Sequence, residues 1–313
     1  MLNNIKSKYI FGIIIKNYVA KRKYYLLFQH NKNFQKKLDL NLEDYKDLHK
    51  KIFLTIELEL IPCKQLKPDI KHYFIRTREN KSYYHIYFNN DSIETDRNYL
   101  TNFDKVAKIK IKIDMDLKSI KGLFYNCSII KKIKFTKFNR DDFTDMSEIF
   151  YGCSSLDKLD IKLFKTSNVT KMNWMFCLCE SLTELDIINF DTSNVIEMMN
   201  LFSGCLRLRK INLNFNTENV INMRNMFFKC QSLKQIDVSN FNLSKVQNMN
   251  EMFFGCSSLN DLNIDNFKFI KTEVSFTRIF GECNKTLKEK LKKKYFLRED
   301  DGYFDKSPLK FNY

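Results

Sequence analysis

Seven cysteines set the register of this chain. Cys127, Cys153, Cys179, Cys205, Cys230, Cys256 and Cys283 follow one another at intervals of 26, 26, 26, 25, 26 and 27 residues. A cysteine thiolate is a nucleophile and a soft metal ligand, and zinc sites gather cysteines as C-x2-4-C pairs. Here they fall one per repeat, and the one close pair, Cys177 and Cys179, has a single residue between its members. The spacing therefore predicts a column of small buried thiols. Column geometry alone does not give disulfide geometry. Met146, Met172, Met198, Met223 and Met249 recur in phase with the cysteines, and methionine at such spacing reads as adaptable core filler.

Convergent catalytic groups are not visible in the sequence. The four histidines, His30, His49, His72 and His85, all precede the repeats and stand in unrelated contexts. There is no phosphate-cradling glycine loop, no glycine-flanked serine and no H-x-x-x-H spacing. The expectation is a protein without enzymatic activity, with no catalytic residue, no metal site and no cofactor.

The repeat itself must position whatever does the work. Phe150, Phe176, Phe202, Phe227, Phe253 and Phe280 each stand three residues before a cysteine, and a period in this range marks one supersecondary unit that stacks on its neighbours. In the unit Leu156 to Cys179, Leu156, Leu159 and Ile161 read as a short half-buried strand. Thr166, Ser167 and Asn168 stand where a helix would start. Val169, Met172, Met175, Phe176 and Cys179 recur at three- and four-residue steps, the spacing of one helical face. Strands repeated without reversal are parallel, and such crossovers are right-handed. The expected fold class is α/β: a right-handed solenoid with one short parallel strand and one helix per ~26-residue coil, preceded by a helical and β-rich N-terminal cap.

The phrases FKTSNVTKMNWMFCLCESLTELDI (Phe164 to Ile187), FDTSNVIEMMNLFSGCLRLRKINL (Phe190 to Leu213) and NLSKVQNMNEMFFGCSSLNDLNI (Asn242 to Ile264) combine T-S-N-V, M-x-x-M-F and C-x-S-L at fixed offsets. They resemble the BspA-like leucine-rich repeat family, found in bacterial surface lipoproteins and in protist and giant-virus proteins. The resemblance covers roughly 117–284 and implies a non-enzymatic solenoid for protein or glycan recognition. Lys245 stands where the motif has Asn, and Phe276 where it has its first Met.

The flanks differ from the repeats. Residues 1–40 are expected to be helical, 41–116 a β-rich cap, 117–284 the repeats and 285–313 a basic helix and tail. In the cap, Lys51 to Leu60, Tyr83 to Phe88 and Lys108 to Met115 alternate with a period of two, which predicts strands with one face buried. The spacing of Ile5, Ile10, Ile14, Tyr18, Leu26, Leu27 and Leu38 resembles an F-box, the module that docks substrate receptors onto a ubiquitin-ligase adaptor. No leading Leu-Pro and no closing V-C-x-x-W stand there, and a plain helical cap is the other reading. The apolar run Tyr9 to Ile15 is too short to span a bilayer and lacks a small-residue cleavage site, so an intracellular, cytoplasmic location with reduced cysteines is expected.

The formal net charge of +16 raises nucleic acid as a partner. The excess lies in Lys, alongside Asn, Ile, Phe and Tyr, and Arg-based base readout is not evident. A nucleic-acid or anionic-membrane role, centred on the lysine-rich stretch Lys285 to Lys294, is the lesser alternative. A protein partner is expected instead, on the strand residues that point away from the core: Lys132, Lys134, Asp157, Lys158, Thr183, Glu184, Arg209, Lys210, Lys234, Gln235, Asn260 and Asp261. Asp160, Asp186, Asn212, Asp237 and Asn263 share one offset and are expected to support the backbone.

Overall fold

A computed structural model describes residues 56–77, 81–89, 91–114, 117–267, 274–298 and 302–304. The chain divides into two compact units, Met1–Thr55 and Ile56–Tyr313, and the F-box-like stretch lies outside the described residues. All described residues belong to the second unit.

Alternating sequence gives alternating burial. Strand β1 (Ile56–Pro62) buries Ile56, Leu58 and Leu60, and strands β3 (Tyr84–Phe88) and β6 (Ile109–Ile113) bury every second residue from their first through Ile86 and Ile113. With β4 (Glu94–Thr95), β7 (Ile130–Phe138) and β8 (Lys158–Asp160) they form one sheet in the order β4-β3-β6-β1-β7-β8. β7 is the strand of the first coil, and β1 pairs with it antiparallel from Ile56↔Phe138 to Pro62↔Ile130. That pairing satisfies backbone groups that an open edge would expose. A separate ribbon joins β2 (His72–Tyr73) antiparallel to β5 (Tyr99–Leu100).

From β7 onward the chain advances in stacked coils. β7 and β8 pair in parallel, as do β9 (Glu184–Ile187) with β10 (Lys210–Leu213), and β11 (Gln235–Ile236) with β12 (Asp261–Leu262). A second parallel ladder runs along another side through Asp145, Lys171, Glu197, Asn222, Asn248 and Ser275.

The expected helix in each coil is not what the structure contains. The segment from Met172 to Cys179 is a run of turns. An α-helix needs i to i−4 bonds throughout. Here Met175, Cys177 and Cys179 bond back only three residues, to Met172, Trp174 and Phe176. The alternate amides of Met172, Trp174, Phe176 and Leu178 instead donate to Glu197, Met199, Leu201 and Ser203 of the next coil, at 2.8–3.0 Å. Trp174 and Leu178 take left-handed φ values of 56° and 57°, which stop helical propagation. Val169, Met172, Met175, Phe176 and Cys179 are nonetheless all buried, because successive turns also bring i, i+3 and i+4 to one side.

The T-S-N-V motif likewise ties coils together instead of capping helices. Thr166, Thr192 and Thr217 are buried, and their hydroxyls donate forward to the carbonyls of Asp191, Asn216 and Asn242, each at 2.9 Å. Asn168, Asn194 and Asn219 donate backward to the carbonyls of Asp141, Ser167 and Ser193, each at 2.7 Å.

The core between the walls is columnar. Phe124, Phe150, Phe176, Phe202, Phe227, Phe253 and Phe280 stack with centroids 5.2–6.1 Å apart. Beside them, six thiols from Cys153 to Cys283 each donate to the carbonyl of a phenylalanine one coil back, at 3.1–3.2 Å. All nine cysteines are free.

The far end of the stack is closed by helix α1 (Lys285–Tyr295), capped by Asn284, whose side chain accepts from the amides of Thr286 and Leu287. Leu287 and Leu291 are buried and the lysines face outward or half outward. Lys290 donates to the Asn260 carbonyl at 3.2 Å, and the Tyr295 hydroxyl accepts from the Ile264 amide at 3.2 Å. α1 thereby holds the chain on both sides of β12. The sequence suggests a loosely packed or fraying tail over Tyr303 to Tyr313, of which 305–313 lie outside the described residues. Instead Arg278 and Phe280 donate to the carbonyls of Gly302 and Tyr303, continuing the ladder, and Tyr303 and Phe304 are buried.

Candidate binding wall

The expected contact residues lie on β7 to β12 or one residue before a strand. Lys134, Lys158, Glu184, Arg209, Lys210, Lys234, Gln235, Asn260 and Asp261 are exposed, while Lys132, Asp157 and Thr183 are half-buried. Strand register brings several together: Lys132 beside Lys158, Lys210 beside Glu184, and Gln235 beside Asp261.

This wall is segmented, where the sequence suggests one continuous surface. Three sheet segments are joined through turn bonds, such as Ser181 to the Ser154 carbonyl at 3.1 Å and Ser232 to the Leu206 carbonyl at 3.2 Å. Two of the expected contact residues have work within the fold. Asn260 accepts from Asn284 at 2.6 Å and, through its carbonyl, from Lys290, so it belongs to the closing contact with α1. Asp157 faces Lys131 at 3.7 Å.

The acidic offset supports the backbone at three of its five positions. Asp160, Asp237 and Asn263 accept from the amide two residues on, in Lys162, Ser239 and Asp265. The Ser239 hydroxyl and amide hold the Asp237 carboxyl below its usual range. Acidic side chains thus recur between the cations of the wall. By contrast Lys132 and Lys158, like charges in direct register, repel each other.

The thiol column offers no nucleophile on this geometry. Burial pushes Cys127, Cys177 and Cys283 up to about 12 and also raises Cys153, Cys179, Cys205, Cys230 and Cys256 well above the usual thiol value. Among the described residues no group of three His, Cys, Asp or Glu is placed to hold a metal ion, and no helix is long and apolar enough to cross a membrane. His72 contacts the Lys67 carbonyl, and His85 lies between Glu94 and Asp114. His30 and His49 lie outside the described residues.

One feature was not foreseen from the sequence. The asparagines of T-S-N-V and the residues two positions on line a shallow groove of about 480 Å³, formed by Asn168, Asn194, Asn219 and Lys245 together with Thr170, Ile196 and Ile221. Lys245, at the motif's Asn position, also donates one coil back, but to a side-chain oxygen, Asn219 Oδ1, at 2.6 Å. The recurring Asn offset was the available signal for this strip.

Comparison with known families agrees with the repeat architecture. Residues 118–213 and 179–294 match the family described as Mycoplasma protein of unknown function, DUF285, and residues 70–161 match the BspA type leucine rich repeat region. No curated protein and no solved structure matches the chain. The DUF285 match runs across 118–294, more than half of the 313 residues, and the chain therefore belongs to that family and carries BspA-type leucine-rich repeats.

Proposed function

We propose that the coils form a right-handed solenoid acting as a non-enzymatic protein-interaction scaffold, with the strand wall of β7 to β12 as its docking surface. The observation that carries this reading is the alternation of exposed side chains of both signs, held in fixed register by parallel pairing. Mixed charge suits a protein surface, whose own charges can be matched position by position. A phosphodiester backbone would meet the recurrent carboxylates of Asp160, Asp186 and Asp237, which disfavours nucleic acid. An interface of ordinary size buries about 1,600 Å² in total, and the wall offers several coils for it.

The test is simultaneous charge reversal at Lys132, Lys158, Glu184 and Lys210, with partners recovered from native cells by affinity purification. Loss of the partners that the unaltered chain retains supports the reading. Retention of all of them by a folded variant would sink it.

A further inference from the structure

Interface affinity comes from a few well-placed residues, enriched in Trp, Tyr and Arg. The strand-wall positions named above include no aromatic or aliphatic side chain. Large apolar groups stand in solvent at several other places, Ile93, Ile188 and Phe296 among them, and three flank or belong to the β2–β5 ribbon. Ile70, Tyr73 and Phe103 are 51%, 36% and 81% exposed. The register His72↔Leu100 and Tyr73↔Tyr99 leaves Ile70 and Phe103 beyond the same end of the ribbon.

The turn that carries Phe103 is pinned on both sides. Asp104 accepts from the Thr101 amide at 2.6 Å and hydroxyl at 2.8 Å, and takes a two-point bond from Arg97 at 2.6 and 3.0 Å. Phe103 sits inside that turn, so its backbone is held in place before any partner arrives. Preorganisation of this kind lowers the entropy cost of binding.

Cations surround the rings. Lys71 lies over Tyr99 at 4.6 Å, Arg76 over Tyr73 at 4.7 Å, and Arg97 over Tyr99 at 5.0 Å, while Tyr73 and Tyr99 meet edge to face at 6.0 Å. Residues 64–76 and 96–105 carry six Lys or Arg against three Asp, and one of those aspartates, Asp104, is already bonded to Arg97. The patch is apolar at its tip and cationic at its rim.

We infer that this patch is the anchor for an acidic protein segment that sets an apolar side chain against Phe103 and Ile70 and turns its carboxylates toward Lys71 and Arg76. The inference rests on the scaffold reading and adds a site outside the strand wall. Aromatic rings with cations also suit single-stranded nucleic acid. The aliphatic Ile70, which offers no stacking face, favours the peptide.

The probe is a pool of 12-residue peptides, each with one Phe, Leu or Trp flanked on both sides by Asp or Glu. A matched pool has Lys in place of the acids, and a third probe is oligo-dT. Binding to the full chain is read by fluorescence anisotropy. The acidic pool should bind and the other two should not. Phe103→Ala should weaken binding tenfold or more, and Lys71→Glu should abolish it. Lys158→Glu with Lys210→Glu should leave it unchanged. Absence of acidic-pool binding, equal binding of the basic pool, preference for oligo-dT, or unchanged affinity in a Phe103→Ala variant with the native circular dichroism spectrum each overturns the anchor. Peptide binding lost only on the strand-wall reversal overturns the anchor while leaving the wall reading standing.

Discussion

Asn126 lies against Gly152 one coil further on: a Cβ built on the glycine would stand 2.0 Å from Asn126 Oδ1. The relationship repeats every second coil, with Leu178 against Gly204 and Lys229 against Gly255. The stack therefore has a two-coil alternation superimposed on its one-coil period. A large residue in one coil occupies the space that the glycine of the next leaves open.

Gly152→Ala should destabilise the protein by about 1–3 kcal/mol, since φ is +67° and an L-residue there is strained before any clash is counted. Adding Asn126→Gly should return the steric part and leave the strain. Denaturant unfolding of both variants measures the two contributions. A neutral Gly152→Ala would show that the coils can spread at this point.

Thiol accessibility provides a second check. Of the nine cysteines only Cys63 is not fully buried, and the others are held protonated by burial. An aromatic disulfide reagent at neutral pH should modify at most one thiol per native chain and all nine after unfolding. Cys205→Ala should cost about 1–2 kcal/mol, through a small cavity and the loss of the bond to the Phe176 carbonyl.

Arg97, opposed by burial and supported by two bonds from Thr101, pushes the Asp104 carboxyl down to about 2. A depressed carboxylate stabilises the fold above its unfolded value near 3.8, and the contribution disappears as pH falls through about 2. The difference corresponds to about 2 kcal/mol. Asp104→Asn should lower stability at pH 7 by that order and flatten the acid limb between pH 4 and 2. Unfolding midpoints across that range measure it.

His85 titrates in the opposite sense. Burial lowers its pKa, but the hydrogen bonds and charge of Asp114, then of Glu94, outweigh burial and raise it above 6.5. Its stabilising contribution is full below the unfolded value and is lost as pH rises through the folded one. The His85 ring proton resonance should show a midpoint above 6.5, and His85→Asn should remove the corresponding loss of stability on the alkaline side. A midpoint at or below 6.5 would show that the two carboxylates do not hold the ring in solution.

Sequence alone determined the repeat, its phase and its interior. Periodicity marks which residues must leave water, so the Phe, Met and Cys columns and the alternating strands of the cap were legible without coordinates. It also marked Lys285 to Lys294 as a closing helix, because the four-residue spacing of Leu287 and Leu291 is a local signal. Only the tertiary structure decided how the buried residues reach the interior. Spacings of three and four are shared by a helix and by successive turns, and the choice at Trp174 and Leu178 depends on carbonyls of Met199 and Ser203, 25 residues away. The same non-local bonding turned Thr166 and Asn168 from apparent helix caps into ties between coils and drew Asn260 into the closing contact. The turn that carries the exposed Phe103 is likewise held by Arg97 meeting Asp104. Burial is written in the local pattern; hydrogen-bond partners are decided by which coil lies next door.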